Sequence, residues 1–179
     1  MKLFTLLASD ANALVWNGAK PRSIRYCKMY IRNVIFHRAY LALVFYRYGH
    51  WAFRQCKIPI WSHIHRIMYL LFVQLNMAWT GTEISYKAKI GPRCILVHSG
   101  QVIGEATIGS DFTGHAGILI GQKGALYPTI GNNVLMGAHS IVVGSIDVGD
   151  DARIGAGTTI VKSVLPGQTV VSAPNRIID

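Results

Sequence analysis

Ile130-Gly131-Asn132-Asn133-Val134-Leu135 is followed by Met136-Gly137-Ala138-His139-Ser140-Ile141, and that by Val142. An aliphatic residue leads each block of six, and a small residue often comes next. The same beat runs over residues 84–164, led by Ile84, Ile90, Leu96, Val102, Ile108, Gly114, Ile120, Ile130, Met136, Val142, Val148, Ile154 and Ile160. Only Gly114 breaks the aliphatic rule. A period of six fits neither an α-helix nor an alternating strand. It fits a chain that turns a corner every six residues, with the leader inward and the small residue letting the backbone bend. Three such blocks close one triangular coil, and coils are stable only when stacked. The expectation is a mainly β fold: a parallel β-helix of about four to five coils.

Composition divides the chain. Residues 1–80 hold eleven Lys and Arg and one acid, Asp10, whereas residues 81–179 hold seven bases and seven acids. The formal charge of +10 therefore belongs to the first part, 11 − 1. Two units are expected: a basic α-helical region over 1–80 and a β-helix over 81–179 with a short C-terminal tail. A basic stretch can mark nucleic-acid binding. Here the charge sits on an apolar, aromatic-rich segment, which points to a membrane surface or another anionic partner rather than nucleic acid.

The run from Leu3 to Ala8 is too short for a secretory core, and Asp10 follows it. No apolar run reaches the eighteen or so residues of a membrane span. Cys27, Cys56 and Cys94 form no disulfide framework and no CxxC pair. A cytoplasmic setting is expected, with peripheral contact at the inner face of the membrane as its extension.

Ser23 reads as a helix cap, and from Ile24 apolar residues recur at helical spacing through Tyr48, with Gly49 as an end or a kink. Residues 61–79 read as another helix, with Ile64, Ile67, Met68, Leu71, Leu75 and Ala78 as its packing face. His37, His50, His63 and His65 read as surface or packing residues.

His98, His115 and His139 stand in the repeats, at different positions of their blocks, so they need not share a corner. No other His or Cys lies at ligand spacing, and no metal is expected. Between Ile120 and Ile130 four extra residues must bulge as a loop. Loops on a rigid scaffold are where binding usually sits.

The segment from Glu83 to Gly91, the run Leu96-Val97-His98-Ser99-Gly100-Gln101-Val102-Ile103-Gly104, and Ile154-Gly155-Ala156-Gly157-Thr158-Thr159-Ile160 resemble the serine acetyltransferase family. So does the lead-in Phe45-Tyr46-Arg47-Tyr48-Gly49-His50-Trp51. The resemblance implies a left-handed coil, a homotrimer or dimer of trimers, and acetyl-CoA as acyl donor. It implies His98 as general base and Glu83, fifteen residues earlier, as its supporting carboxylate (98 − 83). It sets Gly121, Gly137, Ala138, Gly155, Ala156 and Lys162 along acetyl-CoA, and Val97 and Tyr127 at the acceptor; His115, 115 − 98 = 17 residues on against eighteen per coil, is expected close above His98, where it joins the acceptor site.

Two positions depart from the family pattern. Val97 replaces an Asp that would hold an amino acid's ammonium, and Tyr127 replaces a His before Pro128. An ammonium left without a partner in a closed site is costly. This speaks against free serine, and similarity to family relatives with the same two losses implies a sugar hydroxyl of a polysaccharide or glycan pathway as the acceptor, with serine as the alternative. A non-catalytic coil scaffold is the reading from another class.

Overall fold

The computed structural model describes residues 3–15, 37–54 and 59–173. Three helices, α1 (Leu3–Val15), α2 (Arg38–Arg54) and α3 (Pro59–Thr80), precede fourteen short strands. All ladders between the strands are parallel and form three sheets. The first sheet stacks β1 (Glu83–Ile84), β4 (Val102–Ile103), β7 (Leu119–Gly121), β10 (Ile141–Val143) and β13 (Thr159–Ile160). The second stacks β2 (Lys89–Ile90), β5 (Thr107–Ile108), β8 (Thr129–Ile130) and β11 (Asp147–Val148). The third stacks β3 (Ile95–Leu96), β6 (Thr113–Gly114), β9 (Leu135–Met136), β12 (Arg153–Ile154) and β14 (Thr169–Val170). The expected parallel β-helix of about five turns is the observed fold.

The inward rows are nearly those of the hexapeptide count. Ile84, Ile120, Val142 and Ile160 fill one side, Ile90, Ile108, Ile130 and Val148 the second, and Leu96, Met136 and Ile154 the third. One leader is corrected. Val102 is 40% exposed and Ile103, at 1%, takes its place. Glu83 pairs with Val102, a step of 102 − 83 = 19 residues, and Val102 with Leu119, a step of 17. One coil is a residue long and the next a residue short, so the side chains return to phase. Gly114 has no side chain because the interior there is already full. A Cβ on it would lie 2.5 Å from Ile118 Cδ1 and 3.0 Å from a Phe112 ring atom.

The helices close the first coil. Ala39, Leu43 and Tyr46 of α2 join the coil core. The Tyr46 hydroxyl donates to the Ala88 carbonyl at 2.9 Å and accepts from the Ile90 amide at 3.1 Å. Arg47 is 3% exposed; its Nε donates to Asp10 Oδ2 at 3.0 Å, and its Nη atoms donate to the carbonyls of Ile90 and Gly91. Asp10 Oδ1 accepts from the Cys94 amide at 3.0 Å. One ion pair thus joins α1, α2 and the coils. Burial pushes the Asp10 carboxyl up, and Arg47 beside it acts against that rise.

Sequence-level helix readings are corrected in two places, and a third is not tested. Ser23 and the helix start at Ile24 lie outside the described residues. Gly49 does not end α2, which runs on to Arg54; the Tyr69 ring lies where a Cβ would be. In α3 the expected packing face points outward, and the helix buries Ser62, Tyr69, Asn76 and Thr80 instead. Among the described residues no helix is long and apolar enough to cross a membrane.

Arg47→Met would strand the Asp10 carboxylate and two carbonyls in the interior. Loss of one partner of a buried pair costs about 3–5 kcal/mol. A fall of that size in the unfolding free energy, measured with denaturant, is expected. An unchanged midpoint would show the pair to be dispensable.

Candidate active site

The turn between β3 and β4, residues 97–101, carries His98 and holds the extra residue of the long coil. Gly100 has φ +89°, a backbone conformation that side chains rarely adopt. The Gly100 amide donates to Thr82 Oγ1 at 2.8 Å, and that hydroxyl donates to Gln101 Oε1 at 3.0 Å. Gln101, fully buried, donates through Nε2 to the His98 carbonyl and, at 3.4 Å, to that of His115. Below, Thr80 Oγ1 accepts from the Thr82 amide at 3.0 Å, and Asn76 Nδ2 donates to the Thr82 carbonyl at 3.1 Å. A buried polar chain therefore runs from the end of α3 to the turn of His98. It fixes the backbone, while the imidazole remains exposed.

His37 is a member of this site that the sequence did not reveal. It precedes α2, and its Nδ1 accepts from the Tyr40 amide at 3.3 Å, as a capping group does. Burial lowers its pKa, and the nearby His98 ring adds to this, while a hydrogen bond with the Val97 backbone works the other way. His37, Arg38, Ala39, Val97, His98 and Ser99 line a cavity of about 250 Å³. Cap position before an apolar helix was the only available signal, and it was obscured by reading one helix from Ile24 onward.

The three repeat histidines share a corner. His98 lies in the turn after β3, His115 in that after β6, and His139 in that after β9. The register pairs Leu96 with Gly114, so His115 stands over Val97 rather than over His98. The Val97 amide donates to the Gly114 carbonyl at 2.9 Å, and the His115 amide to that of Met136 at 3.0 Å. His139 has φ +56° and lays its ring against Gly117. Among the described residues no group of three or more His, Cys, Asp or Glu could hold a metal ion.

Above Val97 and His115 the column continues with Gly137 and Gly155. Beside it, Ala116, Ala138 and Ala156 climb the same corner; the His139 amide donates to the Ala116 carbonyl and the Gly157 amide to that of Ala138, both at 2.8 Å. The two glycines have a packing reason: a Cβ on Gly137 would lie 2.6 Å from the Ala156 amide, and one on Gly155 2.9 Å from Val171. Ala138 is half-buried and Ala156 exposed, so both border open space. Gly121 and Lys162 do not join this group. Gly121 ends β7, and Lys162 follows β13 at the next corner of the triangle.

Tyr127 also lies at that other corner. It belongs to the expected loop, where Lys123 and Leu126 form a small antiparallel bridge. Its ring covers Gly104, with Cε1 2.2 Å from where a Cβ would be. Within one chain, Val97 and His115 come together and Tyr127 stands apart from them. Glu83 opens β1 and is exposed, one coil below the end of the His98 turn. No hydrogen bond or ion pair joins Glu83 to His98 among the described residues.

Comparison with known proteins agrees with this fold. Residues 129–162 match the family described as the hexapeptide repeat of succinyl-transferase. A serine acetyltransferase of Synechococcus elongatus is 35% identical over 147 residues, covering 76% of this chain and 55% of that protein. One from Helicobacter pylori is 43% identical over 111 residues, covering 59% of this chain and 65% of that protein. The chain thus spans little more than half to about two thirds of the length of these relatives. Soybean serine acetyltransferase superposes with a TM-score of 0.78 at 25% identity, over 98% of this chain and 69% of the other. The Brucella abortus serine acetyltransferase in complex with coenzyme A gives 0.77 at 26%, over 98% and 67%. Fold and corner geometry define a protein of the hexapeptide-repeat class. Within that class the chain is serine acetyltransferase-like, in sequence and in structure.

Thr82→Val would remove the acceptor of the Gly100 amide and a donor to Gln101. An unmade buried hydrogen bond costs about 1–3 kcal/mol. Faster amide exchange at Gly100, with the coils still protected, is the expected result in a hydrogen-exchange experiment.

Proposed function

We propose that this protein transfers an acetyl group from acetyl-CoA to a hydroxyl acceptor. The observation that carries the reading is the pinned turn of His98 at the foot of a column of small side chains, on a chain whose relatives are serine acetyltransferases. An alcohol is a poor nucleophile until a base takes its proton, and imidazole titrates close enough to neutrality to do so. His98 removes the hydroxyl proton as the oxygen attacks the thioester carbonyl. The tetrahedral intermediate collapses, the C–S bond breaks, and the proton passes from the imidazolium to the departing thiolate. Corner amides supply hydrogen bonds to the developing oxyanion.

Glu83 supports the base by stabilising the imidazolium. The path beside Ala138 and Ala156 takes the pantetheine arm, with Gly137 and Gly155 keeping the coils close beneath it. A Brucella serine acetyltransferase of the same fold was solved with coenzyme A, which supports this donor. Gly121, Lys162 and the Tyr127 loop lie at another corner, so they reach this groove from a neighbouring copy. That arrangement needs a homotrimer, or a dimer of trimers.

Serine is the acceptor that the relatives support, since those at 34–43% identity are serine acetyltransferases, and a soybean homologue of the same fold was solved with serine. The relatives named above do not support the sugar acceptor expected from the sequence. One observation keeps the sugar as a second reading: Val97 puts an apolar side chain beside His98 where an ammonium would need a carboxylate.

Three measurements test these readings. His98→Ala should lower turnover by about 10²–10⁴ with folding intact, the usual worth of a general base; full activity would remove His98 from the mechanism. Glu83→Gln should cost less. Ala156→Trp should raise the KM for acetyl-CoA, and an unchanged value in a folded variant would move the donor site elsewhere. Thiol release with L-serine and with a panel of sugars separates the acceptors: fast turnover of serine excludes the sugar reading.

A further inference from the structure

Helix α3 buries its polar stripe and shows its apolar one. Ile60, Ile67, Leu71 and Leu75 are 76, 60, 63 and 66% exposed. Trp61 and Trp79 are 57 and 63% exposed and eighteen residues apart, five helical turns, so they stand on one side near the two ends. The helix has no acidic residue, and its single Arg or Lys, Arg66, is half-buried over the Phe53 ring at 5.3 Å. His63 and Gln74 are the polar members of the exposed surface. Apolar patches of this extent on a soluble fold mark an interaction site.

A second copy of the chain or a lipid surface could cover such a face, and charge decides between them. Residues 1–80 carry eleven Lys and Arg against one acid, and that acid, Asp10, is consumed by Arg47. Two regions of this net charge repel one another as wholes. An anionic bilayer would neutralise it, at about 1 kcal/mol per Lys or Arg near the surface. Tryptophans prefer the headgroup boundary, and both α3 tryptophans can reach one plane. Twenty-two residues make a helix of about 33 Å, which can lie flat with its apolar face in the acyl boundary.

We propose that α3 docks the protein on an anionic phospholipid surface. The outward row sinks below the headgroups, and the stripe of Ser62, Tyr69 and Asn76 keeps α2 and the coils on the water side. This docking does not depend on the acyl-transfer reading.

The test is sedimentation of the full chain with phosphatidylcholine vesicles, with and without phosphatidylglycerol. Binding is expected with the anionic vesicles, weakened by salt and accompanied by a blue shift of tryptophan emission. Leu71→Glu with Leu75→Glu should lower it by more than about tenfold, since each buried leucine is worth roughly 1.5–3 kcal/mol. Particle mass by light scattering and thiol release with acetyl-CoA should stay as in the parent. If the double variant loses ellipticity, Ile67→Gln with Leu71→Gln replaces it. Absence of binding to anionic vesicles would overturn the proposal. So would a smaller particle in the variant, which would assign the face to contact between copies.

Discussion

Stacked parallel coils impose one constraint on everything else: each strand must send one side chain inward, at a height set by the ladder. The ladder satisfies the backbone groups, and the inward side chains satisfy one another. Ile84, Ile103, Ile120, Val142 and Ile160 are one such row. Because the strands are two or three residues long, nearly all freedom lies in the corners. Chemistry can vary there without loosening the core. The site makes use of this: one corner carries His98, His115, His139 and the alanine column, while another carries the Tyr127 loop.

The bottom coil has no coil beneath it and would leave its carbonyls bare. Tyr46 and Arg47 of α2 satisfy those of Ala88, Ile90 and Gly91, and Asp10 answers the Cys94 amide. Asn76 and Thr80 do the same for Thr82. The helices are therefore the lid of the solenoid. The polar chain from Asn76 to Gln101 also makes the position of His98 a property of the helix–coil junction, not of its turn alone.

The coil was legible because twelve of thirteen block leaders are aliphatic. The misreading of Val102 arose where two β-branched residues, Val102 and Ile103, adjoin and the chain slips by one. Sequence cannot choose between them; the Glu83–Val102 pairing does. The helical face of α3 misled for a different reason. Apolar spacing says which residues share a face but not which face the protein covers, and here the polar stripe lies inward, where Asn76 donates to the Thr82 carbonyl and Thr80 accepts from the Thr82 amide. The motif singled out His98 and Val97, and the structure sets both in one cavity. His37 was not singled out, since a single His before a helix has no distinguishing spacing. The placing of His115 over His98 failed by one residue, the same residue that lengthens the coil.

That lengthening has a consequence for how such a chain can change. Steps of 19 and then 17 residues sum to two ordinary coils of 18. A solenoid therefore tolerates a local error in count only if the next turn repays it, because an uncorrected shift would invert every later side chain between inside and outside. The four residues of the Tyr127 loop escape this bookkeeping by leaving the coil altogether. Insertions of any length can accumulate at such a looped corner, whereas the residue gained at the His98 corner is matched by one lost at the next corner, between β4 and β5, so that Lys89 and Thr107 are again 18 apart.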